Sequence, residues 1–302
     1  MNIFIKEHLN HAGKWIYKGY ENAWRHFGYE VIFYKNLKDI SETQKEYKIM
    51  ALDGDINLNN INVIKKAKKA YIYIQPNHFP HPWGMHPNFI SHCDDRVISI
   101  LNNMDNVYLW SWCDDFKKYH HKWKGAHTIP LAFDSISYTP QEDTNFQYDC
   151  CYIGGWADNG FNEKRKIMLK YFSSFKDSGL KCGFFINKGL SHEQENKILS
   201  NSLVSLNIHD AYQQSLGLDT NERTFKSLGL CGLMVSDRID QVERLFPKLK
   251  LAENPEQMVN LVKEYLSSKK SELLSLKKYY RNEIIKNHTY IERVRKMIEY
   301  EK

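Results

Sequence analysis

Short apolar runs alternate with amphipathic helical stretches along this chain, and that alternation predicts mainly parallel sheets covered by helices on both faces. The first unit of the pattern is a strand at residues 2–5, a loop at 9–14, a helix at 15–27 stopped by Gly28, and a strand at 30–34. Further strands are expected at 48–52, 71–75 and 107–112, with helices near 59–69, 91–104 and 114–123, before residues 126–133 close the first half. The stretch 134–147 is polar, contains Pro140 and has no periodicity, so it reads as an interdomain linker. A second series places strands at 148–154, 180–187, 204–208, 233–236 and 250–252, and helices at 163–178, 192–202, 221–231, 241–246 and 255–267. Apolar spacing at Leu273, Leu274, Leu276, Ile284, Ile285, Ile291, Val294 and Met297 marks a long terminal helix or helix pair. At 302 residues the chain is long enough for two domains. The expected fold class is α/β, with two doubly wound Rossmann-like domains facing a cleft: residues 1–134, a linker at 135–147, residues 148–270, and a terminal helix at 271–302 packing across the domains.

Charge narrows the partners. With 42 basic and 36 acidic residues the chain carries +6, spread along its length rather than massed in a tail. No basic stripe with interleaved aromatics stands out, so nucleic acid is not an expected partner. The cysteines (Cys93, Cys113, Cys150, Cys151, Cys182, Cys231) lack zinc-type pair spacing and read as buried free thiols in a reducing cytosol. No signal-peptide core opens the chain, and no segment approaches the ~20 apolar residues that cross a bilayer. A cytoplasmic protein is expected, with peripheral contact at the inner face of the membrane as an option.

The stretch from Asn221 to Asp237 carries the most chemistry. Polar residues open an amphipathic helix that ends at Gly232 and runs into an apolar strand. Helix N-termini in such sheets point backbone N–H groups at anions, and ligands collect beyond the carboxyl ends of the strands. Arg223 stands at that helix mouth, a planar fork suited to phosphate; the competing reading is an ion pair with Glu222 or Asp219. Gly154 and Gly155 follow a strand and precede a helix, which leaves room for a diphosphate against backbone amides, or marks a plain turn. Trp156 and Asp158 share that loop and Arg165 lies downstream. Asn207, His209 and Asp210 end a strand, at the edge where ligands bind, although Asp210 also suits a helix cap.

In the first half, His11, Gly13 and Lys14 fall in the first strand-to-helix loop or at an ordinary helix start. The segment Pro76–Pro87 is a proline-rich loop with His78, His81, His86, Phe79 and Trp83. Sugars stack on aromatic faces, and a histidine near neutrality is suited to general base work. Prolines spoil helical ligand spacing there, and no metal is expected.

Four segments resemble the CgeB-like branch of the group 1 glycosyltransferases: Ile129–Asp134 leading to Tyr138-Thr139-Pro140; Tyr148–Gly155 with Arg165; the helix from Asn221-Glu222-Arg223-Thr224-Phe225 to Cys231-Gly232; and His288–Arg293. The likeness covers residues 129 to 300. It implies the two-domain GT-B fold and a nucleoside diphosphate sugar held mainly by the C-terminal domain, through Gly154, Gly155, Arg165, His209, Asp210, Asp219, Asn221, Glu222 and Arg223. From their loop positions in the first half, Gly13, Lys14 and Trp83 are the expected acceptor contacts, and His11, His78 or His81 the expected acid–base residues. The implied reaction is metal-independent transfer to a saccharide, lipid-linked or protein hydroxyl, in bacterial surface polysaccharide or glycoconjugate synthesis, with no cofactor beyond the nucleotide sugar. One departure stands out. Retaining relatives place a glutamate where this chain has Lys226, and Glu222, one turn earlier, is the candidate substitute. That departure keeps open a second reading, a binding protein of the same fold without turnover.

Overall fold

The computed structural model describes residues 1–8, 11–40, 46–75, 80, 93–115, 118, 121–141, 146–156 and 163–300. The chain forms two compact units, Met1–Pro130 with Arg293–Lys302, and Leu131–Glu292.

In the first unit six strands lie parallel: β1 (Asn2–Lys6), β2 (Glu30–Tyr34), β3 (Tyr47–Leu52), β4 (Lys69–Tyr73), β5 (Val107–Ser111) and β6 (His127–Thr128), in the order β2-β1-β3-β4-β5-β6. Helices α1 (His11–His26), α2 (Ile61–Lys66) and α3 (Asp95–Leu101) connect them. A sheet covered on both faces needs strands without a polar side, and Ile3, Phe4 and Ile5 of β1 and Ala70, Tyr71, Ile72 and Tyr73 of β4 are all buried. Helix α1 answers with Ile16, Tyr17, Tyr20, Ala23 and Trp24 on one buried stripe at helical spacing. Gly28 ends it at φ +81°, a conformation that costs glycine nothing.

Three local expectations shift. Helix α1 begins at His11, so Gly13 and Lys14 sit in its first turn rather than in a loop. Helix α3 is shorter than 91–104, because the Asp94 side chain caps it by accepting from the Arg96 N–H. Of the helix expected at 114–123, residues 116, 117, 119 and 120 lie outside the described residues, and none of the other six is α-helical; Asp115 there adopts a left-handed φ of 47°. Residues from Arg293 onward join this unit through buried Arg293, whose Nε donates to the Pro130 carbonyl at 2.8 Å, and through Tyr300, whose ring lies 4.4 Å from that of His127.

The second unit has five parallel strands: β7 (Tyr148–Gly154), β8 (Cys182–Ile186), β9 (Ser202–Asn207), β10 (Met234–Asp237) and β11 (Leu251–Ala252), in the order β11-β10-β9-β7-β8. Its helices are α4 (Lys164–Phe175), α5 (His192–Ser200), α6 (Ala211–Leu216), α7 (Glu222–Leu230), α8 (Asp240–Leu245), α9 (Pro255–Ser267) and α10 (Lys270–Asn287); α11 (Tyr290–Glu299) follows. Each sheet adds strands outward from its first strand in both directions, so each is doubly wound, with a switch point between β1 and β3 in one and between β7 and β9 in the other. The protein is therefore α/β, with two Rossmann-like sheets.

Helix α7 is the hub of the second unit. All residues from Thr224 to Leu230 are buried, not just one face. Close packing dictates glycine at position 229, where a Cβ would come within 2.9 Å of the Phe133 ring. The carbonyl end of α7 is satisfied by α10: Arg281 donates to the Leu230 carbonyl from Nε at 3.0 Å and Nη2 at 2.7 Å. Lys277, also from α10, is buried and donates to the Ser202 and Leu203 carbonyls at 2.8 and 2.9 Å. Burial holds its ammonium below the ordinary lysine pKa.

Candidate functional site

At the switch point of the second sheet, β7 ends at Gly154 with Gly155 next, β9 ends in Asn207, and Asn221 stands just before α7. Arg223, in the first turn of α7, ties the three together. Its Nε donates to the Ile153 carbonyl at 2.8 Å, its Nη1 to Asn207 Oδ1 at 3.1 Å and to the Ile208 carbonyl at 3.4 Å, and the guanidinium lies 4.6 Å from the centre of the Tyr152 ring. Nη2 makes no hydrogen bond to any described residue and passes directly over Gly154. A Cβ at position 154 would stand 2.5 Å from Nη2, so only glycine admits the guanidinium here. The alternative pairing of Arg223 with Glu222 or Asp219 is not formed among the described ion pairs. Beside Arg223, Asn221 precedes α7 without capping it, and its Oδ1 is buried with no hydrogen-bond partner among the described residues. A fixed fork with one open donor and a buried open acceptor two residues before it are the groups a polar ligand satisfies.

The glycine turn is set by a residue that sequence reasoning did not single out. Asn187, after β8, adopts a left-handed φ of 52°, which asparagine tolerates better than most residues. Its N–H donates to the Gly154 carbonyl at 2.9 Å and its Oδ1 accepts from the Trp156 N–H at 3.2 Å. A Cβ at position 155 would meet that oxygen at 2.6 Å. Arg165 stacks at 5.8 Å over the Trp156 ring, while its neighbour Lys164, also not singled out, is buried, pairs with Asp210 at 2.8 Å and donates to the Ile208 carbonyl. Asp210 is therefore a lysine partner at the head of α6. Asp158 lies outside the described residues.

His209 takes an interior place. It is fully buried, with Nδ1 2.6 Å from Asp237 Oδ1, Nε2 2.7 Å from Thr220 Oγ1, and its backbone N–H donating to Asp237 Oδ2 at 3.0 Å. Asn207 Nδ2 donates to Thr224 Oγ1 at 2.8 Å, and Gln214 Nε2 donates to Asp237 Oδ2 at 2.6 Å. This closed polar layer locks the end of β9, and with it the acceptor that Asn207 offers Arg223. Burial acts to raise the Asp237 carboxyl, but His209 and the donated hydrogen bonds outweigh it and hold the group below its ordinary value. A depressed carboxyl stabilises the fold above its ordinary pKa and loses that contribution as pH falls through the depressed one. Asp237→Asn is therefore expected to cost about 1–3 kcal/mol at pH 7. In urea titrations the gap to the parent should close at pH values below about 4.

Glu222 and Asp219 also turn inward. Asp219 is buried and accepts from Tyr212 Oη at 3.2 Å and Gln213 Nε2 at 3.1 Å. Glu222 lies 3.5 Å from Lys226 Nζ, which is 2.9 Å from Glu195 Oε2, and the Tyr138 hydroxyl donates to that same oxygen at 2.6 Å. Burial raises the Glu222 carboxyl above its ordinary value. Burial also disfavours the Lys226 ammonium, yet Glu222 and Glu195 more than offset it and raise its pKa. Glu222, the candidate ribose partner, is thus engaged by the lysine that replaces the expected glutamate. A lysine inside a buried helix signals an acid partner, but nothing local in the sequence names Glu195.

In the first unit, Lys14 is exposed with its ammonium 5.0 Å over the Trp15 ring, and Gly13 lies against His8. The His11 side chain and residues His78, His81 and Trp83 lie outside what the structure describes. The switch point of this sheet carries His8 instead, a residue not singled out from sequence. Its ring stacks on Tyr17 at 3.9 Å, and its Nε2 is buried with no hydrogen-bond partner among the described residues. Burial and Lys6 lower its pKa. Among the described residues no group of three or more His, Cys, Asp or Glu is placed to hold a metal, and no described helix is long and apolar enough to cross a membrane.

Comparison with solved structures gives a likeness over nearly the whole chain to the N-terminal domain of Candida albicans trehalose-6-phosphate phosphatase, with TM-score 0.57 at 7% identity, covering 99% of this chain and 96% of that one. At that identity the likeness speaks to fold. The spinosyn forosaminyltransferase SpnP aligns with TM-score 0.45 at 9% identity over 100% of this chain and 99% of that one. No curated protein matches the sequence. Residues 161–299, which carry Arg165, the His209 layer and the whole of α7, match the family model described as glycosyl transferase-like, so the part of the chain that holds Arg223 is glycosyltransferase-like in sequence.

Proposed function

We propose that this protein is a glycosyltransferase that moves a sugar from a nucleoside diphosphate sugar to a hydroxyl acceptor. The observation that carries the reading is Arg223, fixed by three carbonyl-type acceptors so that Nη2 lies over Gly154 at the switch point between β7 and β9. A diphosphate seated there meets a guanidinium already oriented, the N-terminal turn of α7 and the backbone of the Gly154–Gly155 turn. Such preorganised donors stabilise the charge that develops on a leaving diphosphate. Asn221 Oδ1 supplies an acceptor for a hydroxyl or amide of the donor. With this set offsetting the leaving charge, transfer is proposed to be metal-independent and to need no cofactor beyond the nucleotide sugar. The first unit is proposed to receive the acceptor, a saccharide, lipid-linked or protein hydroxyl, with a histidine as base. The resemblance to the CgeB-like branch supports a place in surface polysaccharide or glycoconjugate synthesis in the cytoplasm, in peripheral contact with the membrane.

A second reading rests on Lys226. Because Glu222 and Glu195 are both committed to this lysine, the carboxylate that retaining relatives use is not supplied, which favours a donor-binding protein without turnover. A panel of UDP-, GDP-, dTDP- and CMP-sugars, assayed for nucleotide release with and without a mixed sugar-alcohol acceptor, separates the two. Release from one donor is the expected result. Binding of a donor with no release or transfer across the panel favours the second reading, and binding of none overturns both.

A further inference from the structure

Cys150 and Cys182 occupy paired positions on β7 and β8, neighbouring parallel strands in which Cys150 stands directly across from Cys182. Paired residues on neighbouring strands have Cα atoms about 5 Å apart, inside the range a disulfide spans, and their side chains leave the same face of the sheet. Here the two sulfurs are already 3.4 Å apart, with the Cys150 thiol directed at the Cys182 sulfur. All six cysteines are free. The pair is asymmetric in access: Cys150 is fully buried, whereas Cys182 is partly exposed near the amino end of an edge strand. Neither belongs to the polar layer or the Arg223 site.

We propose that Cys150 and Cys182 form a reversible thiol–disulfide pair, in which Cys182 is the sulfur that meets a small-molecule disulfide from solvent and Cys150 resolves the adduct. With glutathione disulfide as oxidant, the Cys182 thiolate attacks one glutathione sulfur and expels glutathione thiolate. Cys150 then loses its proton, attacks Cys182 Sγ and expels the second glutathione. Two protein thiols are oxidised by two electrons, one glutathione disulfide is reduced to two glutathione thiols, and a single S–S bond joins β7 to β8. The hydrogen bond from Cys150 favours the attacking thiolate, lowering the Cys182 pKa. Cys150 itself stays protonated until the adduct forms, because its hydrogen bond to Cys182 and its burial raise its pKa. The cross-link ties together the strands that lead to Gly154 and to Asn187, the two sides of the glycine turn.

The test is exposure of the folded full-length protein to glutathione disulfide, followed by thiol counting in denaturant and peptide mapping without reductant. The expected result is loss of two thiols, a peptide pair linked through Cys150 and Cys182, no retained glutathione, and restoration by dithiothreitol. In Cys150→Ser the adduct has no resolving thiol, so Cys182 should keep one glutathione; in Cys182→Ser neither adduct nor cross-link should form at position 150. Retained glutathione on Cys182 of the parent chain, an unchanged thiol count, or a cross-link between other cysteines would overturn the proposal. Far-ultraviolet circular dichroism matched to the parent establishes that each variant is folded, so that a missing cross-link reflects the pair itself.

Discussion

Arg223→Ala is expected to abolish the thermal stabilisation that a cognate nucleotide sugar confers on this protein. A ligand present at about 100 times its dissociation constant adds about 2.7 kcal/mol to the folded state. For a chain of this size class each kcal/mol moves Tm by roughly 2–4 °C, so the parent shift is well resolved. The variant also loses bonds to Ile153, Asn207 and Ile208, which should lower its stability without ligand by about 1–3 kcal/mol. Two readouts keep these effects apart: the Tm without ligand reports the lost scaffold bonds, and the increment on adding ligand reports the lost phosphate contact. Gly154→Val provides a second route to the same end, since it leaves the arginine in the sequence but drives a side chain into the space Nη2 occupies. Both variants should lose the increment. An increment preserved in Arg223→Ala would mean that the donor is gripped elsewhere.

The second large effect is expected at Lys226. Truncation to alanine leaves Glu195 and Glu222 facing each other in a buried site without a cation, and breaking a buried pair in this way costs about 3–5 kcal/mol. Urea denaturation followed by circular dichroism should show the loss as a lowered midpoint at constant slope. The companion prediction concerns the carboxylates. Because Lys226 exists to compensate them, Lys226→Met combined with Glu195→Gln and Glu222→Gln should recover most of the lost stability, the three groups having been removed together. Failure of the triple variant to recover would contradict the view that Lys226 serves mainly to offset the two carboxylates, and would turn attention to its ammonium 5.2 Å from the Tyr138 ring and to the Tyr138–Glu195 bond.

Much of the fold is written in local sequence, because parallel strands buried on both faces are near-continuous apolar runs and amphipathic helices are periodic. The run at 148–154 followed by Gly-Gly marked β7 and its turn, and the stretch from Asn221 to Gly232 marked α7, since glycine at φ +80° is a strong stop. Strand order was not legible: alternation implies parallel pairing but leaves open which strand neighbours which, and the switch point between β7 and β9 follows only from that order. The first turn of α1, His11–Lys14, carries Gly13 and no large apolar residue, so its helical period is legible only from Trp15 onward.

For the site, Arg223 and Gly154 were legible as a motif, but their direct contact was not, as it spans 69 positions of chain and depends on the missing Cβ. His209 and Glu222 read as ligand-facing because they sit at a strand end and a helix start, and Asp219 because it lies just before that helix. Their inward turn is decided by Asp237 on β10, Gln213 on α6 and, for Glu222, by Lys226 one turn further along α7, which is itself paired with Glu195 of α5. Lys164 shows the converse: one position before the anticipated Arg165, it faces the interior because α4 begins there and places it over the Ile208 carbonyl.

The central claim is that a nucleoside diphosphate sugar binds where β7, β9 and the first turn of α7 meet. Amide hydrogen exchange on the intact chain, with and without the nucleotide sugar that gives the largest thermal shift, tests it directly. Slowed exchange concentrated at residues 153–156 and 221–225 is the predicted result. Protection confined to the first unit, with those two segments unchanged at saturating ligand, would contradict it.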